Sequence, residues 1–504
     1  MSRSAAIGTA GTPPRGAAAG RTAARRGRGG EESGAAGGWD ASKRPSILPV
    51  LFLLTIVCPL ILQAGGLRLT PYRLILLAMF LPLFFRWVSG KAGAILVMDL
   101  LVLAYAGWAT LAMLVNHGIE SIEGSGMFAM ESLGAYLLGR VMIRGPNDFR
   151  AFAKALAVVI GVMLVLGAIE ATQNGWQPLN TIFRLFGRVH GHNFIPPRWG
   201  LNRAQGPFEH AILFGVFLSS GVGVLHYALT KGKRSALGIA LPCAAVFFSL
   251  SLGAYIAAAL QVALILYDAY SEEFGFKAGP ERWWLLMWGF VALYFALDMA
   301  SNRTPVMIFI QTFAFSELSA AVRIHTWNHG MANAMGSPIF GIGHHNWSRP
   351  FWLTSSVDNF WLLNIMRYGF VGGALVIAVF LTTFFKAGRL VISDPDVAMM
   401  RKGWLITLAG ICLAICTVHL WSATFAYLMF LLGAGMWVFD DPSAVDPKAA
   451  ARDGEDAPAD AGGRRGPPRR AAAPALVRLA ELDAQTVKLL LRPPPRLGLV
   501  GQPA

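Results

Sequence analysis

The longest polar interruption in this mostly apolar chain runs from Ala321 to Gly369 and reads AVRIHTWNHGMANAMGSPIFGIGHHNWSRPFWLTSSVDNFWLLNIMRYG. Arginines, histidines, tryptophans and one aspartate are concentrated in it. Each unpaired polar group placed beside a bilayer costs several kcal/mol. We therefore expect this stretch to carry the chemistry of the protein, and the rest of the chain to hold it at a membrane surface.

The composition favours a membrane protein. The 504 residues are 55% hydrophobic and only 14% charged, with a mean hydropathy of +0.51, whereas soluble proteins carry about 25% charged residues. The net charge of +15 lies largely in the two tails and in short loops, so we expect no nucleic-acid partner. The four cysteines fall inside apolar runs without a completing set of ligands, which predicts packing residues and no metal site.

Windows of roughly 17–25 apolar residues are long enough to cross a bilayer, and they predict an all-α polytopic integral membrane protein with about 12 transmembrane helices. One apolar run provides both 235–251 and 252–270, so those two windows require a break near Gly253. The twelve windows are 46–64, 70–88, 93–115, 124–143, 151–172, 207–229, 235–251, 252–270, 283–301, 358–385, 403–418 and 420–439.

The predicted organisation is one transmembrane domain over 45–440 between two tails. Residues 1–44 and 441–504 have little to bury, which predicts disorder. Within the second tail, Leu476–Leu491 has helical apolar spacing; a helix on the inner membrane surface and a weakly helical tail both remain open. We expect the first apolar run to be the first span, not a cleaved signal peptide.

The loop charges predict the orientation, because short cytoplasmic loops carry an excess of lysine and arginine. With both termini in the cytoplasm, two long loops, at about 173–205 and 302–357, face the periplasm of a bacterial inner (cytoplasmic) membrane. The basic residues of the outside loops are then all arginines, which bind phosphate in a bidentate manner. The inside loops carry Arg86, Lys91, Arg144, Arg150, Lys154, Lys231, Lys233, Arg234, Lys277, Arg282, Lys386, Arg389, Arg401 and Lys402.

Several short motifs lie at the predicted outside borders of the spans, and their order is informative. Through the order and placement of these motifs, roughly residues 46–440 of the chain resemble the bacterial O-antigen ligase and O-antigen or exopolysaccharide polymerase superfamily. The motifs are Arg203-Ala-Gln-Gly-Pro-Phe-Glu-His210, Arg323, Pro338-Ile-Phe-Gly-Ile-Gly343, Asp358-Asn359 before Gly369 and Gly372, Tyr72-Arg73, and the Glu131–Arg140 helix.

The resemblance implies a membrane glycosyltransferase-like fold and a periplasmic activity. Such enzymes move glycan from an undecaprenyl-diphosphate-linked donor to an acceptor sugar hydroxyl, either a growing glycan or a lipid A-core, without a metal or other cofactor. Arg203 and Arg323 match the essential arginines of the family. Their physical role is independently reasonable, because preorganised guanidinium groups stabilise a departing diphosphate.

The sequence departs from the family at two positions. Asp358 stands where ligases usually have a histidine before the asparagine, which leaves the general base open and favours a polymerase over a ligase. Leu252 stands where many members have an arginine. We take Arg203, Arg323 and Asp358 as catalytic candidates, with His344 or His345 as alternative bases; the substrate-binding candidates are His210, His344, His345 and Asn359.

Other polar residues in the spans are expected to be structural. Asp99 and Asp298 lie near the inner or middle part of their predicted helices without an obvious partner, and Glu131 and Arg140 share one helix region. A polysaccharide flippase or other transporter is the alternative function. It would show internal repeats and charges along a central cavity, but we find no repeat and the polar groups gather on one side. A metal-dependent glycosyltransferase would carry acidic residues in the first outside loop, and this loop has none.

Overall fold

The computed structural model describes residues 45–64, 67–191, 193–229, 235–273, 280–301 and 317–445. These residues are mostly α-helical, with short strands at the helix ends. The helices are α1 Leu48–Ile56, α2 Pro71–Val88, α3 Val97–His117, α4 Ile122–Ala129, α5 Ala135–Met142, α6 Pro146–Thr172, α7 Pro178–Phe183, α8 Ala211–Ser219, α9 Gly221–Leu229, α10 Ser235–Phe247, α11 Leu252–Glu273, α12 Pro280–Ala300, α13 Glu317–Gly336, α14 Phe360–Arg389, α15 Pro395–Ala414 and α16 Ser422–Ala434.

Nine helical segments in the described part of the chain are long and apolar enough to cross a membrane. The predicted class, an all-α multi-pass membrane protein, is therefore confirmed, while the count of twelve spans stays a prediction. The windows 93–115 and 124–143 fall in one helical segment of 46 residues, Val97–Met142. The helix in the window 46–64 is α1, which has only 9 residues, and the helix in the window 235–251 is α10, which has 13; both are shorter than a typical membrane span.

Two small sheets mark the two ends of the helices. At the end where α2, α8 and α14 begin, which we call the site end, β1 (Leu60–Ala64) pairs antiparallel with β2 (Leu67–Leu69) and with β3 (Arg188–Val189). The apolar run of 46–64 thus leaves its helix and continues as a strand. At the opposite end, β4 (Val391–Ile392) pairs with β5 (Ala444–Val445).

The predicted long loops contain regular secondary structure, and most of the predicted tails lies outside the described residues. The described part of 302–357 contains the 20-residue helix α13, and the loop 173–205 contains α7 and β3. The apolar run 235–270 is divided between α10 and α11, a few residues before the predicted break at Gly253. The predicted disordered tails, apart from residues 441–445, and the Leu476–Leu491 segment lie outside the described residues.

Close backbone contact joins α5 to α16. A Cβ at Gly433 would overlap the carbonyl oxygen of Tyr136, and one at Gly139 would overlap that of Phe430. Small residues allow helices in a membrane to approach in this way, because van der Waals contact replaces the missing hydrophobic drive between them. The glycine pair therefore fixes α16 against the helix that carries Arg140.

A buried charge network lies at the opposite end. Arg140, which is fully buried, pairs with Asp440 at 2.8 Å and with Asp99 at 3.5 Å. Tyr136 Oη donates to Asp99 at 2.5 Å and Trp87 Nε1 donates to it at 3.0 Å. Asp99 thus has the partners that the sequence did not reveal, since they lie on other helices, and the expected structural roles of Asp99 and Arg140 agree with these contacts.

Asp298 lies elsewhere than expected. It belongs to the last turn of α12, not to the inner or middle part of that helix. The membrane window of α12, Trp283–Ala300, is not buried against the other described residues. Asp298 is exposed and takes no part in the buried network.

Replacing Arg140 by methionine should destabilise the protein strongly. Asp99 and Asp440 would lose their cation in a buried environment, a change that typically costs about 3–5 kcal/mol. Thermal unfolding of the detergent-purified protein measures the effect. Arg184→Met, in an exposed loop at the site end, is the control; an equal midpoint for both variants would contradict a structural role of Arg140.

Candidate functional site

A break in α14 positions the residues of the site end. The sequence predicts one uninterrupted span over 358–385, but Gly369 has a φ of 73° inside the helix, in the left-handed region. A Cβ at Gly369 would overlap the carbonyl oxygen of Ile339, so glycine is required there. The freed backbone groups bond to the preceding loop: Phe370 N donates to Pro338 O at 2.8 Å, Ile342 N to Met366 O at 2.7 Å, and Gly343 N to Arg367 O at 3.1 Å.

A buried carboxylate holds the segment that carries Arg203. Glu170, at the end of α6, accepts the backbone N–H groups of Gln205 at 3.0 Å and of Gly206 at 2.8 Å. On the other side, Ala204 N donates to Phe248 O at 2.9 Å. The backbone on the C-terminal side of Arg203 is therefore fixed to two different helical regions.

Further amides orient Glu170 itself. Gln177 Nε2 donates to its Oε1 at 2.7 Å, and Asn180 Nδ2 donates to Gln177 Oε1 at 2.5 Å. Buried polar chains of this kind are rigid when their members are satisfied. Glu170 thus acts as a clamp for the Arg203 segment, a role that the sequence analysis missed because its partners follow the span.

Three arginines form what we call the arginine cluster: Arg198, Arg203 and Arg323. Burial and the adjacent Arg198 charge lower the pKa of Arg203 to about 10, with the Tyr255 phenol opposing this. Burial also lowers the pKa of Arg198, and the charge of Arg323 adds to that effect. Like charges are therefore held close together while they stay protonated at neutral pH.

The Arg203 guanidinium is incompletely paired. Its Nε is buried and has no hydrogen-bond partner among the described residues. An unsatisfied buried donor costs about 1–3 kcal/mol unless a ligand or water accepts it. The cluster is therefore suited to an anion with several oxygen acceptors.

Asp358 and His210 complete the same region. Burial lowers the pKa of Arg323, and the Asp358 carboxylate partly offsets this. The pKa of His210 is lowered by burial and by Arg203, and raised by Asp358. His210 also caps α8, because its Nδ1 accepts from Ile212 N at 3.1 Å. Four of the candidate residues thus influence one another electrostatically.

The structure separates the roles of Asp358 and Asn359. Asn359 is the N-cap of α14: its Oδ1 accepts from Leu362 N at 2.9 Å, and its Nδ2 donates to Cys416 O at 2.8 Å. Asp358 is exposed and accepts one hydrogen bond, from Ser356 Oγ at 2.8 Å. Both ends of the Asn359 amide are therefore used within the fold, while Asp358 retains acceptor capacity.

His344 and His345 lie beside a third histidine, on α3. His344 N donates to His117 Nε2 at 2.8 Å, and the rings of His117 and His345 are 4.3 Å apart. His345 Nε2 lies 3.3 Å from Asn116 O. Burial, with Arg367 and His117 nearby, lowers the pKa of His344 to about 4.

A cavity of about 310 Å³ lies between α3, α4, α14 and the start of α16. We call it the Arg367 cavity. Its walls combine apolar side chains with Arg73, Glu131, His344, Arg367 and His419. Arg73 pairs with Glu131 at 2.8 Å, and Tyr72 Oη donates to the same carboxylate at 2.6 Å. The structural role expected for Glu131 agrees with these contacts.

The structure brings Arg203, Arg323, Asp358 and His210 together, with Arg198 and Glu170 as additions. None of the three catalytic candidates lines the Arg367 cavity, whereas His344 does. Arg367 was overlooked although an arginine inside an apolar span is itself a signal. No family model matches this chain, and no curated protein matches it either.

Asn359 and Asp358 should differ in their effects on stability. Asn359→Ala removes a helix cap and the bond to Cys416, and should lower the free energy of unfolding by about 1–2 kcal/mol. Asp358→Ala should leave it within about 0.5 kcal/mol of the wild type. Thermal unfolding of the two detergent-purified variants compares them; a larger loss for Asp358→Ala would reverse the assignment of the cap.

Proposed function

We propose that this protein is a membrane glycosyltransferase of the O-antigen ligase or polymerase type. It transfers glycan from an undecaprenyl-diphosphate-linked donor to a hydroxyl of an acceptor sugar, and both substrates reach it from the membrane or its periplasmic surface. The observation that carries the proposal is electrostatic. The Asp358 charge acts on Arg323 and on His210, and the Arg203 charge acts on His210, although these residues come from distant parts of the sequence.

The arginine cluster supplies the chemistry needed to release a lipid diphosphate. Negative charge develops on the diphosphate oxygens as the glycosyl bond breaks, and preorganised donors stabilise that charge in a site of low dielectric constant. The buried Nε of Arg203 without a partner is a donor held ready for it. Glu170 and Phe248 restrain the adjacent backbone, so little reorganisation is needed.

Asp358 is the general base of the proposed reaction. The acceptor oxygen forms a bond to the anomeric carbon while the bond from that carbon to the diphosphate oxygen breaks. The diphosphate leaves with the electron pair, and the hydroxyl proton passes to Asp358. A positioned base typically contributes about 10²–10⁴-fold, and carboxylates serve this role in glycosidases.

The histidines contribute less directly. His210 Nδ1 is occupied by the backbone of α8, so in the neutral ring Nε2 carries the proton and is the available donor. His210 accordingly orients substrate or Asp358. His344 and His345 contact α3. Asp358 is favoured over them as the base because its carboxylate raises the pKa of Arg323 and therefore lies near the arginine cluster.

Arg203→Lys and Arg323→Lys should each lose most transfer activity although the charge is kept. Lysine cannot present two parallel N–H groups to a phosphate, and loss of one such donor typically costs about 10²–10³-fold in rate. The measurement is the amount and length of surface polysaccharide in a deletion strain that expresses each variant.

Arg184→Lys is the matched control, because Arg184 lies exposed in a loop at the same end. Membrane levels of all three variants should equal that of the wild type. In the deletion strain, single repeat units on the acceptor would indicate a polymerase, and unattached long chains a ligase. Normal polysaccharide with either cluster variant would reduce that arginine to an anchor at the membrane interface.

The proposed orientation is periplasmic for the site end, with both termini cytoplasmic, in a bacterial inner membrane. It is supported by the basic residues of the loops at the opposite end, such as Lys91 and Arg144. New cysteines at Gly191 and Met335, both exposed at the site end, should react with an impermeant thiol reagent in cells with a permeabilised outer membrane. A cysteine at Ser89, exposed at the opposite end, should not react.

The background for this labelling has the four native cysteines replaced, because Cys416 is itself exposed at the site end. Labelling at Ser89 with protection at Gly191 and Met335 would place the site in the cytoplasm and contradict the periplasmic reaction.

A further inference from the structure

The Arg367 cavity contains polar groups that the fold leaves unused. Ser125 is 1% exposed, yet its Oγ has no hydrogen-bond partner among the described residues. The buried Nδ1 of His419 is likewise without one in the described part of the chain. Both residues line the cavity. Buried polar atoms are almost always satisfied by protein or water in native proteins, so these two atoms are available to hydrogen-bond a polar ligand or water in the cavity.

The net charge of the cavity lining indicates the sign of the charge that the ligand carries. Arg73 and Glu131 neutralise each other at 2.8 Å. Arg367 has no carboxylate within ion-pair distance among the described residues; the side chains whose pKa values its charge affects include the Tyr368 phenol and the imidazoles of His344 and His419. Burial and the charge of Arg367 lower the pKa of His419 to about 3 and contribute to the low pKa of His344. Both histidines are therefore neutral at physiological pH, and the cavity has an excess of one positive charge.

Arg367 is held in place by the backbone. Its carbonyl accepts from Gly343 N at 3.1 Å, and it lies two residues before the break at Gly369. The other polar wall residues are occupied, since Tyr105 Oη donates to Asn364 Oδ1 at 2.5 Å. An arginine in a segment long and apolar enough to cross a membrane is costly unless a counter-ion, a ligand or water pairs with it.

We propose that the Arg367 cavity binds the phosphate group of an amphipathic molecule, with Arg367 as the charged ligand and Ser125 and His419 as hydrogen-bonding ligands. Phosphate fits the donors because a guanidinium binds it in a bidentate manner. The rest of the wall, including Met113, Phe128 and Phe425, is apolar and suits a hydrocarbon chain. This site goes beyond the proposed transfer reaction, because none of Arg203, Arg323 and Asp358 lines it.

The test is native mass spectrometry of the full chain in a neutral detergent with dioleoyl phosphatidic acid, and with dioleoyl glycerol, which has the same tails but no phosphate. Wild type should bind phosphatidic acid at one site that Arg367→Gln weakens at least about tenfold, because hydrogen bonds to charged groups contribute that much. Dioleoyl glycerol should not occupy this site. Arg389→Gln is the control, since Arg389 lies at the far end of the same helix against Phe385.

Binding of inorganic phosphate distinguishes a lipid headgroup from a soluble molecule as the source of the bound phosphate group. Binding of the lipid but not of free phosphate would support an amphipathic ligand. If free phosphate binds the wild type as tightly as the lipid does, and Arg367→Gln abolishes both, the ligand is a soluble phosphate and the proposal of an amphipathic ligand is wrong. Ser125→Ala, a minimal change, should also weaken binding several-fold and covers the case in which Arg367→Gln fails to fold. The proposal would be overturned if Ser125→Ala and Arg367→Gln each bound phosphatidic acid as tightly as the wild type. It would also be overturned if no phosphate-dependent binding were detected. No transfer activity is needed for this result.

Discussion

The interruption of α14 at Gly369 is the constraint on which the site end depends. A membrane-spanning helix cannot leave backbone groups without partners in hydrocarbon, so broken helices occur only where other protein groups satisfy them. Here the loop Ser337–Gly343 supplies the partners for the freed groups around Gly369. Arg367 lies two residues before the break, and Asn359 and Asp358 lie at the start of the same helix. The loop therefore fixes the part of α14 that carries Arg367, and with it one wall of the Arg367 cavity.

Several arginines at the two ends of the described helices differ in whether carboxylates pair with them. At the opposite end, the Arg140 charge is paired with the carboxylates of Asp99 and Asp440 within the fold. At the site end, the arginine cluster has several cations and the exposed carboxylate of Asp358, and the cavity has Arg367. Excess positive charge near a membrane boundary raises the local concentration of anionic substrates. This difference in charge pairing between the two ends supports the proposed function of the site end.

Local signals in the sequence predicted the membrane class, but not how the candidate site residues are arranged. Apolar length predicted helices such as α2 and α6, because spanning requires only length and composition. It did not predict that the first window would turn into β1 or that α14 would break, since both depend on partners far along the chain. Arg203 and Arg323 came from a family resemblance and Asp358 from its place in a motif. Glu170 was missed because its role arises from tertiary contacts, whereas Arg367 was overlooked although its place inside an apolar span is a sequence signal.

The central claim is that the arginine cluster stabilises the departing diphosphate without requiring a metal. It is tested most directly with purified protein in vesicles, a synthetic undecaprenyl-diphosphate-linked repeat unit and excess EDTA. The account predicts that undecaprenyl diphosphate is released one-for-one with each glycosidic bond formed. It also predicts that the double variant Arg203→Lys/Arg323→Lys loses this release by more than about 10²-fold. Transfer that requires an added divalent metal, or that persists in the double variant, would contradict it.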